Sequence, residues 1–329
     1  MPLSCPTHGA LLRRHESQEE LRCPRGCSFP VVNGIPRFVP QENYAAAFGL
    51  QWNEFRRTQL DSYTGCPISR ARLTRLLGGN LDIAKGKLVL EAGCGAGRFT
   101  EILLEAGARV LATDLSAAVD ANQQNCRRFP AYQVCQADIL HLPLAPAQFD
   151  VVVCIGVVQH TPSPEETMRA LCQHVKPGGL LVMDHYTHGY PATLSRRLLR
   201  RFLLRRSPAF GLLFCRTLVS LLWPLHRLVW YLRRLPRFWR LRWFWLWASP
   251  VVDYHDAYLR LGPALLRTWA LLDTHDTLTD RYKHLRSAEE ITRHLAACGM
   301  IGTEAVYGGN GVEIRAWRPK AAEPMQGCG

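Results

Sequence analysis

The stretch Val89-Leu90-Glu91-Ala92-Gly93-Cys94-Gly95-Ala96-Gly97-Arg98 decides how this chain reads. An apolar β-type run (88–90) ends in an acid, a glycine-rich turn follows, and residues 99–106 form a helix. Glycine has no Cβ, so backbone N–H groups in such a turn can approach a bound ligand closely. A second apolar strand over 109–113 ends in Asp114, twenty-one residues after Gly93. That spacing suits a carboxylate that accepts hydrogen bonds from a ribose. A nucleoside-containing cofactor is therefore expected. A dinucleotide fingerprint would place a third small residue at position 98. Arg98 stands there instead, in a G-x-G-x-G pattern, and a pyrophosphate-binding turn is disfavoured.

The Glu-x-Gly-x-Gly-x-Gly form of residues 91–97 resembles motif I of class I S-adenosylmethionine-dependent methyltransferases, including the type 11 group. The resemblance continues in order along the chain. Asp138, in Gln136-Ala137-Asp138-Ile139, stands where that family places the acid that reads the adenine amine. Phe149-Asp150-Val151-Val152-Val153-Cys154 is similar to the fourth strand, and Lys176-Pro177-Gly178-Gly179-Leu180-Leu181-Val182 to the turn into the fifth. The resemblance implies an α/β fold: a seven-stranded, Rossmann-like class I methyltransferase sheet. It also implies S-adenosyl-L-methionine as cofactor, held by Glu91, Ala92, Gly93, Cys94, Gly95, Gly97, Asp114, Leu115, Asp138, Ile139 and Cys154. The competing reading is a domain that kept the shape and lost the ligand.

At 329 residues and 47% hydrophobic content, the chain can bury one large domain and a small one. Its twelve cysteines are scattered, and no secretory signal precedes the first, so a cytoplasmic, reducing compartment is expected. Cys94, Cys126, Cys135, Cys154 and Cys172 fall within the αβ pattern and read as small apolar core residues. Alternating strands and helices over 86–188 resume at 287–318 and make the methyltransferase domain. Around it lie a zinc-ribbon-like segment (1–40), an N-terminal helical cap (41–85), a helical insertion after the fifth strand (189–286) and a disordered tail (319–329).

In the first segment, Cys5-Pro6-Thr7-His8 and Cys23-Pro24-Arg25-Gly26-Cys27 form two short-spaced pairs that match a small zinc site. Cys5, His8, Cys23 and Cys27 are its expected ligands for a structural Zn2+. The segment resembles the zinc ribbons that precede some methyltransferase domains, with His8 in place of a fourth cysteine. A metal-free arm is the alternative. In the cap, Tyr44, Phe48, Trp52 and Phe55 share one helical face. Such a stripe is commonly core, but the resemblance places helices here against cofactor and substrate, so Trp52, Gln51 and residues 59–62 are expected near the pocket.

The formal charge of +13 is local: between Asp184 and Asp253 lie thirteen arginines, no lysine, no acid, and six of the nine tryptophans. Residues 194–206 project as a basic amphipathic helix, with leucines and Phe202 opposite the arginines. Such a helix can lie in the headgroups of an anionic membrane. The apolar run 209–223 is shorter than a bilayer span and is followed by Pro224, so a membrane-crossing helix is not expected. A membrane surface or lipid-linked substrate is the favoured partner, giving peripheral attachment. Arginines and tryptophans also suit single-stranded RNA, and a self-contained buried lid is the third reading.

For catalysis, His160 follows the fourth strand and is the best-placed base; His185 and Tyr186 leave the fifth strand on the same edge. Packing alone is the plainer account of His160. Asp273, Asp276 and Tyr282 lie in or after Leu271-Leu272-Asp273-Thr274-His275-Asp276-Thr277, similar to a segment of class I methyltransferases with a comparable insertion, and could close over the acceptor. A solvated, capped loop is the alternative. The whole reads as a methyltransferase acting on a small-molecule or lipid-linked acceptor. The alternatives are an rRNA or tRNA methyltransferase, and a non-catalytic adaptor on the same scaffold. Acceptor atom and oligomeric state are not legible.

Overall fold

Four short antiparallel strands open the chain: β1 (Arg13–Arg14), β2 (Glu20–Arg22), β3 (Ser28–Val32) and β4 (Ile35–Pro36). The last two are joined through Asn33 and Gly34, both at positive φ (53° and 78°), the conformation a tight hairpin requires. The computed structural model describes residues 1–15, 19–40, 43–189, 193–235, 238–309 and 311–320. Residues 321–329 of the expected tail lie outside the described residues.

The cap is three helices, α1 (Ala46–Glu54), α2 (Asp61–Thr64) and α3 (Ile68–Leu76). The sheet then runs β5 (Leu88–Ala92), α4 (Thr100–Glu105), β6 (Arg109–Asp114), α5 (Ala118–Cys126), β7 (Tyr132–Gln136), β8 (Phe149–Cys154), α6 (Pro164–His174) and β9 (Val175–His185). After the insertion come α11 (Ala288–Ala297), β10 (Ile301–Gly308) and β11 (Gly311–Trp317), the helices of the insertion being α7 to α10. Strand order is β10-β11-β9-β8-β5-β6-β7, with β11 antiparallel to β9 and to β10. This is the class I methyltransferase sheet. Its strands are nearly continuous apolar runs because both faces are covered. Leu90, Leu111, Val152 and Leu181 point to one core, with Met168 and Ile291, and Val89, Val110, Val151 and Val182 point to the other, with Leu73 and Leu103. The helix before β10 starts at a capping box of Ser287 and Glu290.

The four-stranded segment docks on the free edge of the sheet. Arg37 bridges in parallel to Gln136, and its guanidinium reaches Gln136 Oε1 (3.0 Å) and Asp120 Oδ1 (2.6 Å). Ile35 is fully buried against Cys94, Ala112, Val119 and Val134, close under the glycine turn.

The insertion comprises α7 (Leu194–Leu203), α8 (Pro208–Leu232), α9 (Phe238–Ala248) and α10 (Gly262–Thr279). Contrary to expectation, α8 does not stop at Pro224 but continues to Leu232. The ring removes the bond to the Ser220 carbonyl, and Ser220 lies on the exposed side where solvent can replace it. The 25-residue helix is long and apolar enough to cross a membrane by length and composition, and only 28% of its apolar window is buried. Residues 271–277, which could have been a solvated loop, are instead the buried end of α10.

Parts of α7 and α9 bury arginine and expose apolar side chains, although α8 and α10 share an ordinary apolar core around Val219, Trp223 and Trp269. Arg242 is 6% exposed and pairs with Asp253 and Asp256, whereas Trp243 is 71% and Trp247 64% exposed on the same helix. On α7, Arg196 bonds to the carbonyls of Pro250 and Val251 and Arg200 to Asp280, while Leu194, Leu198 and Phe202 face outward. His226 of α8 is buried between Asp253 Oδ2 (2.7 Å) and Ser249 Oγ (2.8 Å). A helix in water normally presents the opposite arrangement.

Candidate active site

A cavity of about 1290 Å3 opens where the carboxyl ends of β5, β6 and β8 meet α1 and the insertion. Ligands of open αβ sheets bind at this edge. One small-molecule site occupies ~300–1,000 Å3, so two ligands can lie side by side.

One end is formed by the glycine turn. The Gly93 and Cys94 amides donate to Thr113 O (2.7 and 2.9 Å), and the Gly95 amide to Asp114 Oδ2 (2.9 Å). Ser116 donates to Asp114 Oδ1 through its amide (2.8 Å) and hydroxyl (2.7 Å), so Asp114 and the turn fix each other. At Gly93 (φ 80°) a Cβ would come within 2.2 Å of Val157 Cγ2. The side-chain-free position therefore lets the loop after β8 close against the turn as well as leaving backbone open to a ligand. Asp138, two residues beyond β7, accepts from the Leu140 amide (3.0 Å), and its second oxygen lies 3.9 Å from His141 Nδ1. Burial raises the pKa of Asp114.

Of the expected cofactor contacts, Gly93, Cys94, Gly95, Asp114, Leu115, Asp138 and Ile139 line the cavity. Glu91, Ala92, Gly97 and Cys154 lie behind its wall. Glu91 accepts from the Thr100 hydroxyl, which accepts in turn from Asn122 Nδ2 (3.0 Å); burial pushes the Glu91 carboxyl up to about 8. Gly97 packs against Cys126 Sγ and Asn122. These residues hold the turn and α4 in place from beneath.

Across the cavity stands His160, in a 3-10 turn (Val158–His160) after β8. Its ring packs edge-on against Phe48 and Tyr186, at centroid distances of 5.5 and 5.3 Å. Its Nδ1 is 3.3 Å from Asp280 Oδ2 and 3.2 Å from Tyr282 O. A proton on Nδ1 is donated to Tyr282 O, with Asp280 Oδ2 at ion-pair distance and otherwise without a hydrogen-bond partner, which leaves Nε2 as the acceptor. Burial opposes a charged ring, but the contact with Asp280 and the charges of Asp276 and Asp280 outweigh it and hold the His160 pKa above its ordinary value. Asp276, also lining the cavity, is pushed up by burial to about 6. His160, Asp276 and Asp280 converge within 4.8 Å, but Arg200 Nε (2.7 Å) and Lys283 Nζ (3.1 Å) already balance Asp280.

His185 does not join it. It is 1% exposed, points away from the cavity and bonds to Tyr186 O (2.8 Å), and burial lowers its pKa to about 4. The adjacent Tyr186 lines the cavity, as do Trp52, Asp273 and Asp276; Tyr282 lies outside the lining, its ring against Tyr44. Asp280 was not anticipated, although its spacing of four from Asp276 is the helical signal that could have found it. Nor were Arg72, paired with Asp184, or the inward course of Arg98.

At the other end of the chain, the Sγ atoms of Cys5, Cys23 and Cys27 lie 3.7, 3.5 and 3.6 Å from His8 Nδ1. A tetrahedral ion with Zn–S of 2.3 Å and Zn–N of 2.0–2.1 Å has S···N edges of about 3.6 Å. Cys5, His8 and Cys27 lie within 4.8 Å of one another and fit a zinc ion, while Cys23 approaches His8 but stands outside that group. The Cys23 amide bonds to Cys27 O (2.8 Å), closing the turn that carries both cysteines.

Fold and motif order define a class I methyltransferase domain, and residues 90–183 match the family model described as a methyltransferase domain. Among curated relatives, the ubiquinone biosynthesis O-methyltransferase of Azoarcus sp. (strain BH72) is 34% identical over 129 residues, covering 37% of this chain and 54% of that protein. The protein of the same name from Pseudomonas fluorescens (strain SBW25) is 38% identical over 97 residues, covering 29% and 42%. The chain thus spans about half the length of the curated relatives it matches. A similar solved structure is the N-methyltransferase NodS from Bradyrhizobium japonicum WM9 in complex with S-adenosyl-l-homocysteine (29% identity, 35% of this chain, 60% of that one, TM-score 0.32).

Proposed function

We propose that the chain is an S-adenosylmethionine-dependent methyltransferase acting on an oxygen of a small-molecule acceptor that is lipid-linked or drawn from a membrane. The observation that carries this is the convergence on one cavity of the glycine turn with Asp114 and Asp138 at one end and the His160–Asp280 pair at the other. Backbone at Gly93 and Gly95 would border the cofactor, Asp114 would take its ribose hydroxyls and Asp138 its adenine amine, with Leu115 and Ile139 flanking the base. S-adenosylmethionine supplies a methyl group already activated by its sulfonium. The protein's part is to orient the acceptor, exclude water and remove a proton. His160 would take the acceptor hydroxyl proton on Nε2, while Tyr282 O holds Nδ1–H and Asp280 stabilises the resulting imidazolium. The curated relatives are named as O-methyltransferases, which agrees with a base at this place. Calorimetry with S-adenosylhomocysteine tests the cofactor half. Asp114→Asn is expected to weaken binding roughly 10- to 100-fold through loss of charged hydrogen bonds, and no binding by the unaltered protein would end the proposal.

Structural zinc in the N-terminal segment belongs to the same reading, supported by the S···N distances above. So does a cytoplasmic protein lying on an anionic membrane. Trp243, Phe244 and Trp247 face outward beside arginines, an arrangement suited to the headgroup region, where indole rings and long basic side chains both find partners. RNA would use the arginines but not so wide an apolar face. Co-sedimentation with phosphatidylcholine–phosphatidylglycerol vesicles is expected to capture the protein. Trp243→Ser with Trp247→Ser should reduce the bound fraction several-fold; absence of binding by the unaltered protein contradicts this part.

A further inference from the structure

Arg98 is the one basic side chain of the glycine-turn segment, and it runs inward. Its Nε donates to Ser69 Oγ (3.0 Å) and its Nη1 to Gln59 Oε1 (2.7 Å), both neutral. The guanidinium lies over the Phe99 ring (4.8 Å) and near that of Trp269 (5.7 Å). Among the described residues, no carboxylate comes within 4.0 Å of it. The neighbouring Arg72 is different: it pairs with Asp184, whose second oxygen accepts from the Gly156 amide (2.6 Å). The position of Arg98 is fixed by others. The Asp61 carboxylate accepts from the amides of Ser69 (2.9 Å) and Arg70 (2.7 Å), and Ser69 Oγ donates to Gln59 O (3.0 Å). Arg98 still lines the cavity, on the side where α10 contributes Trp269 and Asp273. Asp273 is turned to the Tyr254 hydroxyl, and burial raises its pKa. Burial, with the neighbouring Arg72 charge, lowers the Arg98 pKa to about 10, and Asp273 and Asp61 oppose this only in part.

We propose that Arg98, set by Gln59 and Ser69, is a receptor for a carboxylate carried into the cavity by a ligand. Only two of the five guanidinium N–H donors are used by those partners. The planar fork matches a carboxylate, and the low-dielectric wall strengthens the bond. The proposal rests on the methyltransferase reading in one respect: the carboxylate belongs either to the amino-acid end of the cofactor or to the acceptor.

The test is binding calorimetry on the full chain, so a lack of turnover does not obscure it. One arm compares S-adenosylhomocysteine with 5′-methylthioadenosine, which lacks the amino-acid end. The other compares 3,4-dihydroxybenzoate with 4-methylcatechol at saturating S-adenosylhomocysteine. The unaltered protein is expected to prefer the carboxylate member in one arm by roughly 10- to 100-fold, and that arm identifies the source. Arg98→Met should abolish the preference while leaving the neutral member's affinity unchanged, and Arg98→Lys should restore part of it. If Arg98→Met does not fold, the preference of the unaltered protein and its reduction in Arg98→Lys decide the matter. Equal affinity within both pairs overturns the proposal. If S-adenosylhomocysteine still binds in that case, the methyltransferase reading stands without the carboxylate site.

Discussion

Replacing His160 by alanine is expected to lower kcat by roughly 10²- to 10⁴-fold, the range of a positioned general base, with S-adenosylhomocysteine affinity unchanged. The expectation follows from where each nitrogen goes. Nδ1 is committed to Tyr282 O beside Asp280, and the ring is clamped between Phe48 and Tyr186, so Nε2 has a fixed aim. The pH profile carries the same information. A pKa raised above the ordinary histidine value means that the protonated, inactive ring persists to higher pH. The rate should therefore fall as pH drops through that raised value and level off above it. Asp276, pushed up to about 6, titrates close by, so the acid limb reports the cluster rather than one residue. Asp280→Asn removes the charge that sustains the imidazolium. It should move the acid limb to lower pH and reduce the plateau, a pair of changes that loss of packing alone would not produce. A flat profile in the active protein, or full activity in His160→Ala, contradicts the assignment.

The second large effect concerns the metal. Purified protein is expected to carry one equivalent of zinc, lost in Cys27→Ser. Structural zinc sites contribute on the order of 10–16 kcal/mol of apparent binding free energy, far more than strands of two to five residues can supply by burial. The N-terminal segment should then become sensitive to protease. The effect should also reach the cofactor end. Ile35 packs beneath the glycine turn with Cys94, and Arg37 ties the segment to Gln136 and Asp120. Zinc loss is thus expected to weaken S-adenosylhomocysteine binding as well. Metal analysis showing no stoichiometric zinc would remove the proposal.

The periodic part of this fold was open to reading. Strand, glycine turn and helix follow one another at legible spacing, with Asp114 ending β6 and Asp138 two residues beyond β7. His185 closes β9 and Tyr186 lies just beyond it, so which of the two meets the cavity depends on where the strand ends. The insertion was legible as basic and amphipathic but not in its orientation. A helical projection assigns leucines to the core by default. The acids that draw Arg200 and Arg242 inward, Asp280, Asp253 and Asp256, lie 80, 11 and 14 residues away in the chain. Polar residues at 273–277 suggested a loop for a similar reason. Thr274 donates nothing to solvent but accepts from the Val252 amide (2.9 Å), and His275 bonds to Gln51 across 224 residues. Such partners are set by tertiary packing, which no local pattern encodes.

The central claim is methyl transfer from S-adenosylmethionine to a small or lipid-linked acceptor by the His160 cavity. Its most direct test is incubation with methyl-labelled S-adenosylmethionine and separated lipid, small-molecule and RNA fractions, with His160→Ala in parallel. The account predicts label in the lipid or small-molecule fraction, largely lost in the variant. Label confined to RNA, or no transfer to any fraction, would contradict it.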